Sequence, residues 1–337
     1  MTADDGGDVD VGVIGVGAMG RNHARVYAEL PGAHLVGIAD ADADRAADVA
    51  AEIGTTSHAT GALLDRVDAV SIAVPTEYHA DLARDCIDAG VHALVEKPFV
   101  TSVAEGRDLI ERAEAADVLV QAGHIERFNP AVAELTRIVD GVSPIAVDAR
   151  RLGPPSDDGR SLDENVVHDL MIHDLDIVRS LVSGDVARIN ALRTDDGQHA
   201  TAQLRFGDGT IATLTASRVT QQKVRDITIT AEECYIELDY LTQTIEIHRQ
   251  SRPEYMEIGG NIRYHHEGIT ERPMVQSGEP LRYELESFVE SVAEHATPRI
   301  TAEDGLRAVE LADAVLERAD ATEGPRTDAR HAVPSDR

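Results

Sequence analysis

The 337-residue chain is long enough for about two domains and a sizeable buried core, which excludes a small disulfide-held scaffold. Asp and Glu number 61 against 31 Lys and Arg, a formal charge of −30 that repels nucleic acid and anionic membrane surfaces. Lysine occurs only at Lys97 and Lys223, and acid excess with lysine poverty reads as the adaptation of an extreme halophile to a molar-salt cytosol, where a Debye length of about 3 Å screens the self-repulsion. Cys86 and Cys234 lack CxxC spacing and read as two reduced thiols. The acidic start MTADDGGDVD is unlike a signal peptide, and no stretch approaches the ~18 apolar residues of a membrane span, so a soluble, cytoplasmic protein is expected.

After a lead expected to be disordered over residues 1–8, Val11 to Ile14 is a β-branched run that breaks into Gly15-Val16-Gly17-Ala18-Met19-Gly20. Helical spacing from Asn22 to Leu30, the stop at Pro31-Gly32 and the apolar run Leu35 to Ala39, closed by Asp40, complete a βαβ unit. The pattern repeats with helices near Asp44 to Ile53, Tyr78 to Ala89 and Ser102 to Ala116, and strands at Ala69 to Val74, Ala93 to Val95 and Val118 to Ala122. Such alternation predicts a doubly wound parallel sheet of the Rossmann kind. Beyond residue 122 come helices at Ala131 to Val139 and Val166 to Val182, a strand at Ile145 to Arg151 and a loop from Gly153 to Asn165. Strand-type runs follow at Val186 to Leu192, Ala200 to Phe206, Thr210 to Arg218, Arg225 to Ala231, Cys234 to Asp239 and Thr244 to His248, joined by hairpin-length turns. Residues 251–280, with Tyr255, Tyr264, His265 and His266, read as irregular, helices return at Leu281 to Glu294 and Ala302 to Arg318, and 322–337 reads as a disordered tail. The expected fold is α/β: a doubly wound domain over 9–123 and, over 124–320, a second domain built on a large, mostly antiparallel sheet.

Gly15-x-Gly17-x-x-Gly20 between a strand and a helix is a dinucleotide-binding signature: one glycine turns, one admits the pyrophosphate, one lets the helix pack on the strand. Ala18 and Met19 open the helix whose bare N–H groups bind phosphate. Asp40, about twenty residues on, is placed to accept both adenosine ribose hydroxyls and to repel a 2′-phosphate, which favours NAD over NADP.

Glu96-Lys97-Pro98 falls at the carboxyl end of a predicted strand, where open α/β sheets hold their ligands. A lysine is rare enough here for Lys97 to stand out, and its compact ammonium can hydrogen-bond a developing alkoxide. Asp169 and His173, at helical i and i+4, can act as a pair in which His173 takes a hydroxyl proton and Asp169 orients the ring. A metal site is the rival, yet His168 and His173 are five apart and face different ways, so no metal is expected. Pro75, Thr76 and His79 follow one strand, and Arg127 and Asn129 follow another on the same rim. Pro75 and Thr76 can meet the nicotinamide ribose, while Arg127 and Asn129 can donate to substrate oxygens.

GVGAMG, AVPTEYH, EKP and DLMIHD, in this order and spacing over about residues 9–320, resemble the glucose-fructose oxidoreductase/inositol dehydrogenase/MocA family. The resemblance implies a Rossmann domain followed by an α/β domain whose open sheet forms a homodimer or homotetramer interface. It implies Lys97, Asp169 and His173 as the catalytic group. The cofactor contacts would then come from Gly15, Gly17, Ala18, Met19, Gly20, Asp40, Pro75, Thr76, His79, Glu96 and Lys97, and the substrate contacts from Lys97, Arg127, Asn129, Asp169 and His173. GRNHARVYAEL, GHIERFNPAV and DLMIHDLDIV look most like members that oxidise the 3-hydroxyl of UDP-N-acetylglucosamine. Free aldose or inositol oxidation, and a regulatory protein that binds NAD without turnover, are the alternatives. Arg150, Arg151 and Arg160 are candidates for a diphosphate. His168, where many relatives carry a small residue, is expected to narrow or repurpose the substrate pocket.

Overall fold

Five parallel strands make the first sheet, and all but the edge strand at Ala33–Ala39 are almost wholly buried, which explains their near-continuous apolar sequence. The structure is a computed structural model that describes residues 8–155, 165–250 and 267–321 together with the backbone of 254–258 and 261–265. In chain order it begins β1 (Val9–Ile14), α1 (Ala18–Glu29), β2 (Ala33–Ala39), α2 (Ala43–Ile53), α3 (Thr60–Leu64) and β3 (Ala69–Ile72). It continues with α4 (His79–Ala89), β4 (His92–Glu96), α5 (Val103–Ala116) and β5 (Val120–Gly123). The strand order β2-β1-β3-β4-β5 is the doubly wound topology expected, with the carboxyl ends of β1, β3, β4 and β5 on one rim. The five-residue α3 was not foreseen, being too short to show a period.

After α6 (Pro130–Val139) and β6 (Pro144–Leu152), α7 (Ile172–Leu181) is preceded by a π-helical turn over Val167–Met171. The remaining strands are β7 (Val186–Arg193), β8 (His199–Phe206), β9 (Ile211–Ser217), β10 (Val224–Ala231), β11 (Tyr235–Asp239), β12 (Thr244–Gln250), β13 (Glu254–Ile258), β14 (Asn261–His265) and β15 (Gly268–Glu271). Seven of them and β6 form a sheet ordered β15-β12-β11-β10-β6-β9-β8-β7, antiparallel except for the parallel pair β6 and β9. Residues 251–280 are therefore not wholly irregular. β15 pairs along β12 but is exposed at every residue, so no alternation marks it in the sequence, and β13 and β14 pair only with each other. The expected disordered ends, most of the 153–165 loop with Arg160, and the side chains of Tyr255, Tyr264, His265 and His266 lie outside the described residues.

The chain closes with α8 (Pro280–Glu294) and α9 (Ala302–Ala321), which return to the first sheet. Leu281, Leu285, Phe288 and Val289 of α8 share a core with Val11 and Val13 of β1 and with Val26 and Tyr27 of α1. The amino-terminal half of α9 packs Leu306 and Val309 with α5 and β5, and a Cβ on Gly305 would stand 2.5 Å from the Ala122 side chain. Its carboxyl half puts Leu311, Ala312 and Val315 into the core of the large sheet beside Leu175 and Val178 of α7. Cys86 and Cys234 are buried and free, and burial pushes the Cys86 thiol up to about 12. Among the described residues no helix is long and apolar enough to cross a membrane.

Phe288 is fully buried between α8 and the first sheet. Phe288→Ala is expected to lower unfolding free energy by about 3–5 kcal/mol in denaturant titrations of the full chain. A loss below about 1 kcal/mol would mean that α8 contributes little to this core.

Candidate active site

The glycine turn leaves β1 at Gly15, whose φ of +87° lies in the region that favours glycine, and runs into α1. A Cβ on Gly20 would stand 1.8 Å from the Gly15 carbonyl oxygen, so only glycine lets the helix start this close to the strand. Gly17 has open space beside it and caps α1 without a side-chain bond, so the first-turn N–H groups at Ala18 and Met19 keep their capacity for an anion. These features fit a dinucleotide pyrophosphate. Asp40 follows β2, and its carboxylate accepts from the Val16 N–H at 2.7 Å, tying the turn to the second strand. Arg45 donates to the same group from Nε at 3.2 Å and from Nη2 at 2.6 Å. Burial pulls the Asp40 carboxyl upward, but the bonds from Arg45, Val16 and Asp42 hold it below the ordinary carboxylate value.

Pro75 is exposed and Thr76 half-buried on the rim after β3, where Thr76 opens a short 3₁₀ turn. His79 is instead buried beneath it, Nδ1 2.8 Å from the Pro98 carbonyl and Nε2 2.9 Å from that of Val74. The ring thus sits between the backbone that follows β3 and the backbone that follows β4, beneath the rim where the cofactor contact was expected. Glu96 is also buried, 2.9 Å from His23 Nε2, and accepts the Lys97 N–H at 3.1 Å. Burial opposes its charge, but His23 and Lys97 hold it below the ordinary value. Behind it lies Glu284 of α8, fully buried and pushed well up by that burial and by Glu96. The Glu96 oxygens serve His23 and the Lys97 N–H at the strand end where the cofactor contact was expected.

Lys97 reaches out of β4 to the π-helical turn. Its Nζ donates to Asp169 Oδ1 at 2.7 Å and to the Asp169 carbonyl at 2.8 Å, which leaves one of its three protons for another acceptor. Arg218, just after β9, donates to the other oxygen, Asp169 Oδ2. Burial opposes the Asp169 charge, but Lys97 and Arg218 together hold its carboxyl far below the usual range. The expected Asp169 to His173 pairing is therefore corrected: both carboxylate oxygens point to cations. His173 Nδ1 has no hydrogen-bond partner among the described residues. Burial, then Arg151, Lys97, His124 and Arg225, push the imidazole well below its ordinary value.

Asn165 sets this local geometry by accepting from the Val167 and His168 N–H groups at 3.0 and 3.1 Å. His168 consequently turns to α9, Nε2 2.8 Å from Asp313, so it does not narrow a pocket as expected. Arg127 and Asn129 also depart from expectation. Arg127 Nε lies 3.0 Å from Asp176, and Asn129 caps α6 while donating to the Tyr240 carbonyl at 3.2 Å. Pro130 at the first helical position makes Asn129 the cap. Arg151 is buried in a two-bond contact with Asp174 at 2.9 and 3.0 Å and meets Glu126 at 2.8 Å. Arg150 points to the other face of the sheet, toward Asp226 at 2.5 and 2.9 Å.

The sequence reading missed Arg218, Arg225, Lys223 and His124. Arg225 lies opposite Arg151 in the β10–β6 register, and its side chain is 3.9 Å from Glu126. His124, after β5, is buried with both ring nitrogens unpartnered. Only Lys223 carried a readable signal, as the second of two lysines.

Residues 9–124 match the oxidoreductase family with an NAD-binding Rossmann fold, and residues 145–237 match the GFO/IDH/MocA C-terminal domain. A UDP-N-acetylglucosamine 3-dehydrogenase of Acidithiobacillus ferrooxidans is 37% identical over 84% of this chain and 88% of its own. Its solved structure superposes with a TM-score of 0.84 at 35% identity, covering 93% of this chain and 98% of that one. The scyllo-inositol 2-dehydrogenase (NAD(+)) of Bacillus subtilis is 32% identical over 53% of this chain and 55% of its own. Levoglucosan dehydrogenase in complex with NADH and L-sorbose shares the fold, with a TM-score of 0.78 at 20% identity over 94% of this chain and 97% of that one.

Asp40→Ala removes the acceptor and releases Arg45 toward a 2′-phosphate. The ratio of NADP to NAD affinity, read by fluorescence titration, is expected to rise about tenfold or more, the worth of one charged hydrogen bond. An unchanged ratio would remove Asp40 from the ribose site.

Proposed function

This chain belongs to the GFO/IDH/MocA oxidoreductase family, and from that membership we propose that it oxidises a secondary hydroxyl of a nucleotide sugar, the 3-hydroxyl of UDP-N-acetylglucosamine. The observation that carries the reading is the bond from Lys97 Nζ to Asp169, which joins the nucleotide-binding rim to the turn that runs into the helix of His173. The 37% identical relative with that activity supports the choice of substrate.

Gly15, Gly17 and Gly20 would hold the pyrophosphate of NAD, with Ala18 and Met19 presenting N–H groups, Asp40 at the adenosine ribose and Pro75 and Thr76 near the nicotinamide end. NAD would supply the hydride acceptor. Lys97 uses its remaining Nζ proton to hold the substrate oxygen and to stabilise the negative charge that develops there. His173, whose imidazole is pushed well below its ordinary value by burial and neighbouring cations, takes the hydroxyl proton. Asp169 acts on Lys97: by accepting two-pronged from one flank and from Arg218 on the other, it fixes the ammonium in place. Intact Lys97, Asp169 and His173 argue against a regulatory protein without turnover. The exposed Leu192, Ile211 and Tyr235 on the outer face of the large sheet suit self-association as a homodimer or homotetramer. The acid excess suits a cytoplasm of molar salt.

Lys97→Ala and His173→Ala are each expected to cut turnover at least about 10²-fold with NAD binding nearly unchanged, since acid–base groups contribute about 10²–10⁴. Unaltered turnover in both would overturn the mechanism. Because burial and the surrounding cations lower His173, the acidic limb of kcat/KM for oxidation is expected below the ordinary imidazole value of about 6.5. A limb above that value would contradict His173 as the base.

The substrate is tested by NADH formation in molar KCl with UDP-sugars beside free aldoses and inositols, Lys97→Ala serving as the blank. Turnover with UDP-N-acetylglucosamine and a 3-keto product is the expected result. Turnover with free sugars alone would move the assignment to an aldose or inositol dehydrogenase, and NAD binding without turnover would move it to a regulator.

A further inference from the structure

Arg151 of β6, Arg218 after β9 and Arg225 of β10 come from adjacent strands and face the same side of the large sheet, because Arg225 is the register partner of Arg151 and β6 runs parallel to β9. Two of the three are committed. Arg151 is locked by Asp174 and Glu126, and Arg218 by Asp169. Arg225 has only Glu126 at 3.9 Å, and that carboxylate already bonds Arg151 at 2.8 Å. Lys223, two residues earlier, is exposed and has no ion pair among the described residues, and it lies within electrostatic reach of Arg225, Arg151 and Glu126.

Counting Lys97, five cations here face the three carboxylates Glu126, Asp169 and Asp174. Among the described residues these cations outnumber the carboxylates by two, in a chain with nearly two acids for every base. Repulsion among neighbouring cations pulls both Lys223 and Arg225 below their ordinary values, Lys223 chiefly through Arg225, and Arg225 through burial and then Arg151. Both lysines of the chain are therefore within this one cluster. A protein this acidic could have placed a carboxylate beside Arg225 at little cost.

We propose that Lys223 and Arg225 form the subsite for the diphosphate of the nucleotide sugar, one sugar ring away from the carbinol held by Lys97 and His173. This deepens the nucleotide-sugar reading and rests on it. Two neighbouring cations, Lys223 unpaired among the described residues and Arg225 held only at 3.9 Å by a carboxylate that it shares with Arg151, match a dianionic group, and Arg225 offers the planar fork that binds phosphate oxygens in pairs. The arginines that the sequence suggested for this task are already spent where described: Arg150 on Asp226 across the sheet, and Arg151 on Asp174 and Glu126.

The test titrates UDP, inorganic pyrophosphate and uridine into the NAD-loaded full chain by calorimetry at fixed KCl, beside steady-state kinetics with UDP-N-acetylglucosamine. Lys223→Gln and Arg225→Gln are each expected to weaken UDP about 10- to 100-fold, the worth of a charge-assisted hydrogen bond, with the larger share of the kinetic loss in KM. Arg225→Lys, which keeps the charge, is expected to recover part of the affinity. Arg150→Gln, which removes an equal charge on the opposite face, is expected to leave it unchanged. Pyrophosphate should compete with UDP and uridine should not. Wild-type turnover of UDP-N-acetylglucosamine with unchanged UDP affinity in both glutamine variants, or an equal loss in Arg150→Gln, would overturn this subsite and leave the substrate reading standing. A wild type that oxidises only free sugars and does not bind UDP would overturn both.

Discussion

Asp169 must be kept charged where water is scarce, and the arrangement around it follows from that requirement. A carboxylate in such a place is costly unless its oxygens are filled by charged donors, and removing one member of a buried pair costs about 3–5 kcal/mol. Lys97 from the first sheet and Arg218 from the second fill both oxygens. One anion therefore joins two sheets that share no strand. The π-helical turn over Val167–Met171 carries Asp169 to this meeting point of the two cations. His173 has no anionic partner among the groups that shift it, and burial and then the surrounding positive charge push it well below its ordinary value.

The same balance of charge extends along the large sheet. Like charges in register, Arg151 and Arg225, repel each other, and the sheet tolerates them because Asp174 and Glu126 lie between helix and strand on that side. Tyr240 adds its ring face to Arg151 at 5.2 Å from the centroid. Positive charge is thereby concentrated at one end of a protein that is acidic nearly everywhere else, which focuses an anionic ligand toward that end. The hydrophobic framework makes this geometry rigid. α8 and α9 return from the far end of the chain to the first sheet, and α9 enters both cores, so the rim that bears Lys97 and the turn that bears Asp169 are held by one continuous helix.

How legible each residue was depended on whether its chemistry is local. Gly15 and Gly20 could be read because a positive φ and a backbone approach of helix to strand are demands made by neighbours in sequence. Lys97 could be read because lysine is so rare here that its position carries information, and Lys223 carried the same signal unused. Asn129 and His79 looked like ligand contacts because both sit in strand-end loops, yet one serves as a helix cap and the other clamps two strand ends. Arg218 and Arg225 gave no sign, since among 29 arginines only strand register distinguishes those that face the site from those, such as Arg150, that face away.

By itself the sequence determined the α/β class, the alternation of strands and helices through the first sheet, the nucleotide-binding turn and the two short motifs that meet at Lys97 and Asp169. Each of these depends on contacts within a few dozen residues, and periodicity and composition record such contacts directly. Only the tertiary structure decided that Asp169 serves Lys97 and Arg218 instead of His173, that His168 turns to α9, and that Arg225 shares its carboxylate with Arg151. Those outcomes depend on a competition for a few buried carboxylates among cations far apart in the chain, and the competition is settled by strand register and by which segments the two sheets bring together.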